Sequence, residues 1–308
     1  LQIARHACLD FLVQWFVPGD LTAMLRGGYT YVQRYLVATI VDNLLTISPR
    51  VWFAGPMTDT AVDTLLVVSA HAGDFVWRAG GAIAAAALRG ERAVVACLSY
   101  GERGESASQW LDGKSLDEIK RIRRGEAEAA ASALGAEIEF LDLGDYPLVE
   151  SREAVSRLVD LYRRVQPTVV LTHTLRDPYN GDHPAAARMA LEARVLAQAI
   201  GVANSDGSYP GKDDIIGAPP VFFFEPHQPE QCDFTPDVLL DITEAFGRKR
   251  AAMECLPAQK HMWSYYTDLA VRRGVQLKRN AGPNLGLHHE TMGEAYMRHF
   301  PQVTSVLS

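Results

Sequence analysis

Short runs of buried-type residues alternating with helical segments constrain this chain more than any other feature. Residues 64–69 (TLLVVS), 92–99 (RAVVACLS), 137–141 and 168–172 (TVVLT) are continuous stretches rich in apolar and β-branched side chains. Such runs suit strands covered on both faces. Between them lie segments with helical spacing: 78–90, 117–134 closed by Gly135, 152–165 stopped by Pro167, and 184–199. Residues 221–224 and the short run 239–242 predict further strands, 243–255 a helix, and the Gly/Ser/Asp-rich 203–214 a surface loop. Strands and helices in that alternation build βαβ units, so the expected fold is α/β, a mostly parallel sheet flanked by helices.

Residues 1–62 depart from this pattern. Segments 3–16 and 29–45 are apolar at helical spacing and are broken by Pro18-Gly19 and Gly27-Gly28. They predict a helical N-terminal extension that covers a face or an oligomer contact, ahead of an α/β catalytic domain over 63–308. A formal charge of −7 argues against a nucleic-acid partner, which needs a dense basic face. No run approaches the ~20 apolar residues of a membrane span. Cys8, Cys97, Cys232 and Cys255 are widely separated, which fits reduced thiols in a cytoplasmic protein rather than a zinc-thiolate site.

Ligands of parallel α/β sheets gather where strands end at their carboxyl edge, and polar residues collect there. The first strand runs into Ala70-His71-Ala72-Gly73-Asp74, and the fourth into His173, Asp177 and Asn180-Gly181-Asp182-His183. A single such histidine would suit a helix cap or a carboxylate partner. Two His/Asp clusters at the ends of two strands of one sheet can instead converge on one metal ion.

These motifs resemble the PIG-L/LmbE-like family of zinc-dependent, Rossmann-like enzymes, typified by N-acetylglucosaminyl deacetylases. The resemblance runs from about residue 63 to the C-terminus and implies Zn2+ held by His71, Asp74 and His183. The family's general base, an aspartate, falls on Gly73, and a histidine usual three residues before the last ligand falls on Asn180. An amide hydrolase such as an N-acetyl-sugar deacetylase is therefore the alternative expectation. Five phrases, 69–81 (SAHAGDFVWRAGG), 99–106 (SYGERGES), 172–184 (THTLRDPYNGDHP), 224–232 (FEPHQPEQC) and the tail 262–280, are similar to a hydratase branch of that family. Its members, from gallate-type aromatic catabolism, add water reversibly across the conjugated C=C of an oxo-tricarboxylic acid such as 4-oxalomesaconate. Homo-oligomers are common in the family.

The resemblance implies Glu105 as general base, with Glu102 as rival, and His227 as proton donor or acceptor at the second carbon. A small-molecule tricarboxylate needs cationic anchors, and Arg78, Arg103 and Arg176 each sit in a motif loop. Tyr179 and Asn180 are further substrate-binding candidates. Arg273, Lys278 and Arg279 form a basic tail cluster that suits a solvated face or a neighbour's site. Trp77, Trp263, Tyr265 and Tyr266 are expected in the core or at a subunit contact. The Gly80-Gly81 pair suggests a close helix–strand approach.

Overall fold

The computed structural model describes residues 63–281 and 286–303; the extension expected over 1–62 lies outside them. In chain order the elements are β1 (Thr64–Ser69), α1 (Asp74–Leu88), β2 (Arg92–Cys97), α2 (Ala107–Leu111), α3 (Leu116–Leu134) and β3 (Glu137–Phe140). Then come α4 (Arg152–Val165), β4 (Val169–Thr172), α5 (Asp182–Leu196), β5 (Val221–Phe224), β6 (Val238–Asp241), α6 (Phe246–Glu254), α7 (Met262–Asn280) and β7 (Gly293–Arg298).

The seven strands form one sheet in the order β3-β2-β1-β4-β5-β7-β6. β1 to β5 pair in parallel, with Val67 opposite Val95 on one side and Leu171 on the other. β7 runs antiparallel to both β5 and β6, so the sheet is mostly parallel, as expected. Because side chains alternate along a strand, Leu65 and Val67 join one buried core with α1, α3 and α6. Leu66 and Val68 join the other, with α4 and α5. Central β1 is buried along its whole length, and its carboxyl end is flanked by those of β2 and β4.

Helix boundaries follow local chemistry. A Ser115/Glu118 capping box opens α3, and Gly135 closes it at φ +82°, where a side chain would be strained. α1 and α5 begin earlier than expected, at Asp74 and Asp182, whose carboxylates favour a helix N-terminus. α6 begins later, because Asp241 accepts the backbone N–H and hydroxyl of Thr243 and so holds a turn there.

One buried charge cluster fastens the outer edge to the rest of the domain. Glu294 of β7 accepts the Gly81 and Ala82 amides (2.7 and 2.8 Å), the Lys249 ammonium (2.7 Å) and the Tyr296 hydroxyl (2.6 Å). Lys249 also donates to the Trp77 carbonyl at 2.9 Å. A Cβ on Gly81 would lie 2.8 Å from the Glu294 carboxyl carbon, so the glycine pair permits the close approach expected from the sequence. Glu294→Ala leaves Lys249, only 2 % exposed, without its counter-charge. A loss of roughly 3–5 kcal/mol in urea unfolding is expected, and an unfolding midpoint equal to wild type would refute it.

Candidate active site

Two strand ends and two helix starts build one cluster. Beyond β1 the chain turns through Ala70-His71-Ala72-Gly73 into α1, bringing His71 and Asp74 together. His71 Nδ1 lies 3.0 Å from Asp74 Oδ2, which also accepts the His71 backbone N–H. Beyond β4 the loop returns through Asp177 to Asp182 and His183 at the head of α5, setting His183 Nε2 3.5 Å from Asp74 Oδ1. Single ligand atoms of His71, Asp74 and His183 thus lie within 4.8 Å of one another, and all three residues are buried.

The far nitrogens are held too. His71 Nε2 pairs with Asp182 Oδ2 at 3.0 Å, and His183 Nδ1 with Asp177 Oδ2 at 2.7 Å. Each imidazole is therefore oriented by one carboxylate and presents its other nitrogen towards Asp74, the usual support of a metal-ligating histidine. Burial opposes charge on His71, but the bonds to Asp182 and Asp74 raise its pKa well above the ordinary value. Burial likewise opposes ionisation of Asp74, and the neighbouring His183 and His173 outweigh it, holding the carboxyl well below the usual range. With Asp177 and Asp182 also ionised below the ordinary range, three carboxylates surround the cluster. Such a donor set fits a divalent cation.

His173, in the same motif, has a different position. Its Nε2 accepts the Ala70 amide at 3.0 Å, and its ring stacks on His183 with centroids 4.2 Å apart. Burial holds it well below the ordinary histidine pKa, and its ring supports that of His183.

A cavity of about 340 Å³ opens over the cluster, lined by Asp74, Arg78, Glu105, His183, His227 and Gln259 among others. Tyr179 and Asn180 also line it. The Glu105 carboxylate borders the cavity, and the Arg123 guanidinium donates to its Oε2 at 2.7 Å. Glu102 is fully buried behind this loop: its Oε2 accepts the Tyr100 amide, and Arg103 and Lys120 lie 3.6 and 3.9 Å from Oε1. It does not line the cavity. His227 stands at the mouth, its ring stacked on Tyr265 and its Nδ1 3.3 Å from the Tyr266 hydroxyl. Desolvation of the ring between these tyrosines, then the charge of Arg78, pushes its pKa down to about 4, although its outer edge is open to solvent.

Of the three expected anchors, only Arg78 lines the cavity. It is buried, with Nε 3.4 Å from Asp74 Oδ1 and no hydrogen-bond acceptor. Arg103 instead donates to the Asp145 carbonyl at 3.1 Å, and Arg176 pairs with Asp233 at 2.7 Å on the surface. Neither of these two motif arginines lines the cavity. Arg273 pairs with Glu225. Of the aromatics expected in the core, Trp77 and Tyr266 are buried, yet both also border the cavity.

The sequence reading missed Arg123 and Gln259. Arg123 sits on the α3 stripe of Ile119, Ala127, Ala130 and Leu134, all buried. A charge at that register was the available signal. Gln259 lies in a one-turn 3-10 helix, Pro257–Gln259, and carried no signal.

Comparison with known proteins agrees with this geometry. Residues 66–194 match the PIG-L family, described as GlcNAc-PI de-N-acetylase. The chain is 51% identical over 251 residues to a 4-oxalmesaconate hydratase of Pseudomonas putida, covering 81% of this chain and 94% of that protein. The crystal structure of GalB, a 4-carboxy-2-hydroxymuconate hydratase from P. putida, superposes with a TM-score of 0.75 at 51% identity, over 80% of this chain and all of that one. An N,N'-diacetylchitobiose deacetylase from Pyrococcus horikoshii shares the fold, with a TM-score of 0.61 at 21% identity over 89% of this chain and 94% of its own. With the His/Asp/His cluster at the β1 and β4 ends and identity of this extent, the chain belongs to the PIG-L family.

Proposed function

We propose that this protein is a zinc-dependent hydro-lyase that adds water reversibly across the conjugated double bond of 4-oxalomesaconate or a closely related oxo-tricarboxylic acid. The observation that carries this reading is at residue 73. The cavity keeps the three ligand positions of the family, but a glycine stands where its deacetylases place their base. The ionisable group on that side is Glu105 instead. The hydratase that shares half of its residues with this chain supports the same reading.

His71, Asp74 and His183 would hold the metal ion. When bound, it would supply Lewis-acid polarisation of a substrate oxygen, with open positions left for that oxygen. Arg78, whose Nε lacks an acceptor, is suited to hold one substrate carboxylate. Arg123 fixes Oε2 of Glu105 and leaves Oε1, which has no partner among the described residues, to take a proton from water. The water oxygen then bonds to one alkene carbon, the π electrons move towards the carboxyl group conjugated through the other, and that other carbon is protonated. His227, whose Nδ1 lies 3.3 Å from the Tyr266 hydroxyl, is the group placed to exchange this second proton. In the reverse direction the same two groups exchange roles. We place the enzyme in the cytoplasm; among the described residues, no helix is long and apolar enough to cross a membrane.

The test follows the absorbance of the conjugated substrate on addition of purified protein. Chromophore loss is expected, abolished by a chelator and restored by Zn2+. Stable absorbance together with acetate release from an N-acetylated sugar would instead identify an amide hydrolase.

A further inference from the structure

We infer that Gln259 fills the space vacated at residue 73 and presents its amide to the cavity as a substrate-binding donor for a carboxylate. This rests on the hydratase reading above. A Cβ built on Gly73 would lie 2.4 Å from Gln259 Oε1, 2.7 Å from Trp77 Nε1 and 3.2 Å from Glu105 Oε2. Any side chain at 73 therefore collides with the glutamine first. Nor can the glutamine move aside freely. Its Oε1 accepts Trp77 Nε1–H at 3.2 Å and Arg123 Nη2–H at 3.3 Å.

Those two bonds also decide which way the amide faces. The indole and guanidinium are donors only, so the carboxamide oxygen must face both of them. The Nε2 group is then directed away from them and has no acceptor among the described residues, on a residue that lines the cavity. The result is a neutral donor beside the base, in the cavity that Arg78 also lines. A tri-anionic substrate needs more than one donor, and neither Arg103 nor Arg176 lines the cavity to supply it. An acidic side chain at 259 would repel the substrate. An amide does not, and it leaves the Arg123 charge to Glu105. Gly73 and Gln259 thus act as one unit: residue 73 is a glycine so that residue 259 can bind.

The packing half is tested without turnover. Gly73 has φ −93°, which alanine adopts without strain, so any loss of stability in Gly73→Ala reports the collision. Gly73→Ala is expected to lower Tm, and Gln259→Ala added to it to restore most of that loss. Additive losses in the double variant would overturn the coupling. The binding half uses Gln259→Met, which keeps the volume and removes the donor. KM for 4-oxalomesaconate is expected to rise roughly 10–100-fold, the range of a hydrogen bond to a charged group. One of the three substrate monomethyl esters should show a raised KM with wild type and no further rise with Gln259→Met. A variant KM equal to wild type, or an equal rise for all three esters, would overturn the donor role. A wild-type chain inactive on 4-oxalomesaconate would remove the hydratase reading and the donor role together, while the Tm coupling would still stand or fall by itself.

Discussion

Replacing Glu105 by glutamine is expected to lower kcat by about 10²–10⁴-fold, the usual range for loss of a general base, with metal content unchanged. The geometry gives the reason. Glu105 touches none of the metal-site side chains, so the isosteric amide leaves His71, Asp74 and His183 in place. It removes the carboxylate oxygen beside residue 73 that can accept a proton from water. It also replaces an ion pair to Arg123, whose guanidinium bonds Glu126 Oε2 at 2.5 Å as well, so Arg123 keeps a counter-charge. Fold and stability should therefore change little, and KM should move far less than kcat. Glu102→Gln is the control. That carboxyl is turned from the cavity towards Arg103 and Lys120, and burial, with Asp145 nearby, raises its pKa. Its amide is expected to retain activity close to wild type. If Glu102→Gln is dead and Glu105→Gln turns over normally in stopped-flow assays on 4-oxalomesaconate, the base has been assigned to the wrong side chain.

The contrast between these two glutamates shows what a sequence can carry. Both lie in one eight-residue phrase, 99–106, and only the local turn decides which faces the cavity. Asp145 accepts the Arg103 and Gly104 amides, and the Tyr146 ring covers Gly104, where a Cβ would come within 2.3 Å of it. No pattern in residues 101–105 encodes a clamp supplied from forty residues further on. The strand runs were legible because burial on both faces leaves continuous β-branched stretches. β7 was not, since GEAYMR carries a charge that is tolerable only beside Lys249. The His/Asp cluster was legible because each of its halves sits at a strand end. Arg103 and Arg176 do not line the cavity for a related reason: a motif position fixes where the backbone runs, while the nearest acceptor fixes where a long cationic side chain ends.

His71→Ala and His183→Ala are each expected to abolish retained metal and turnover together, read by elemental analysis after gel filtration. Asp177→Asn should give a graded result. Asp177 does not belong to the ligand set; it fixes His183 through Nδ1 and keeps Nε2 free to face Asp74. An asparagine can still accept that bond but contributes no charge to the imidazole, and losses of about 10–100-fold in metal affinity are typical when such partners are changed. Asp182→Asn should cost more. Its carboxylate also accepts the Tyr146 and Leu148 amides at 2.9 and 2.8 Å, so the loop behind Glu105 depends on it too. The order in metal affinity is then wild type, Asp177→Asn, Asp182→Asn, and the two alanine variants last. Full metal content in His183→Ala would remove that residue from the ligand set. An Asp177→Asn variant as empty as His183→Ala would make Asp177 itself a ligand and require the imidazole to turn over.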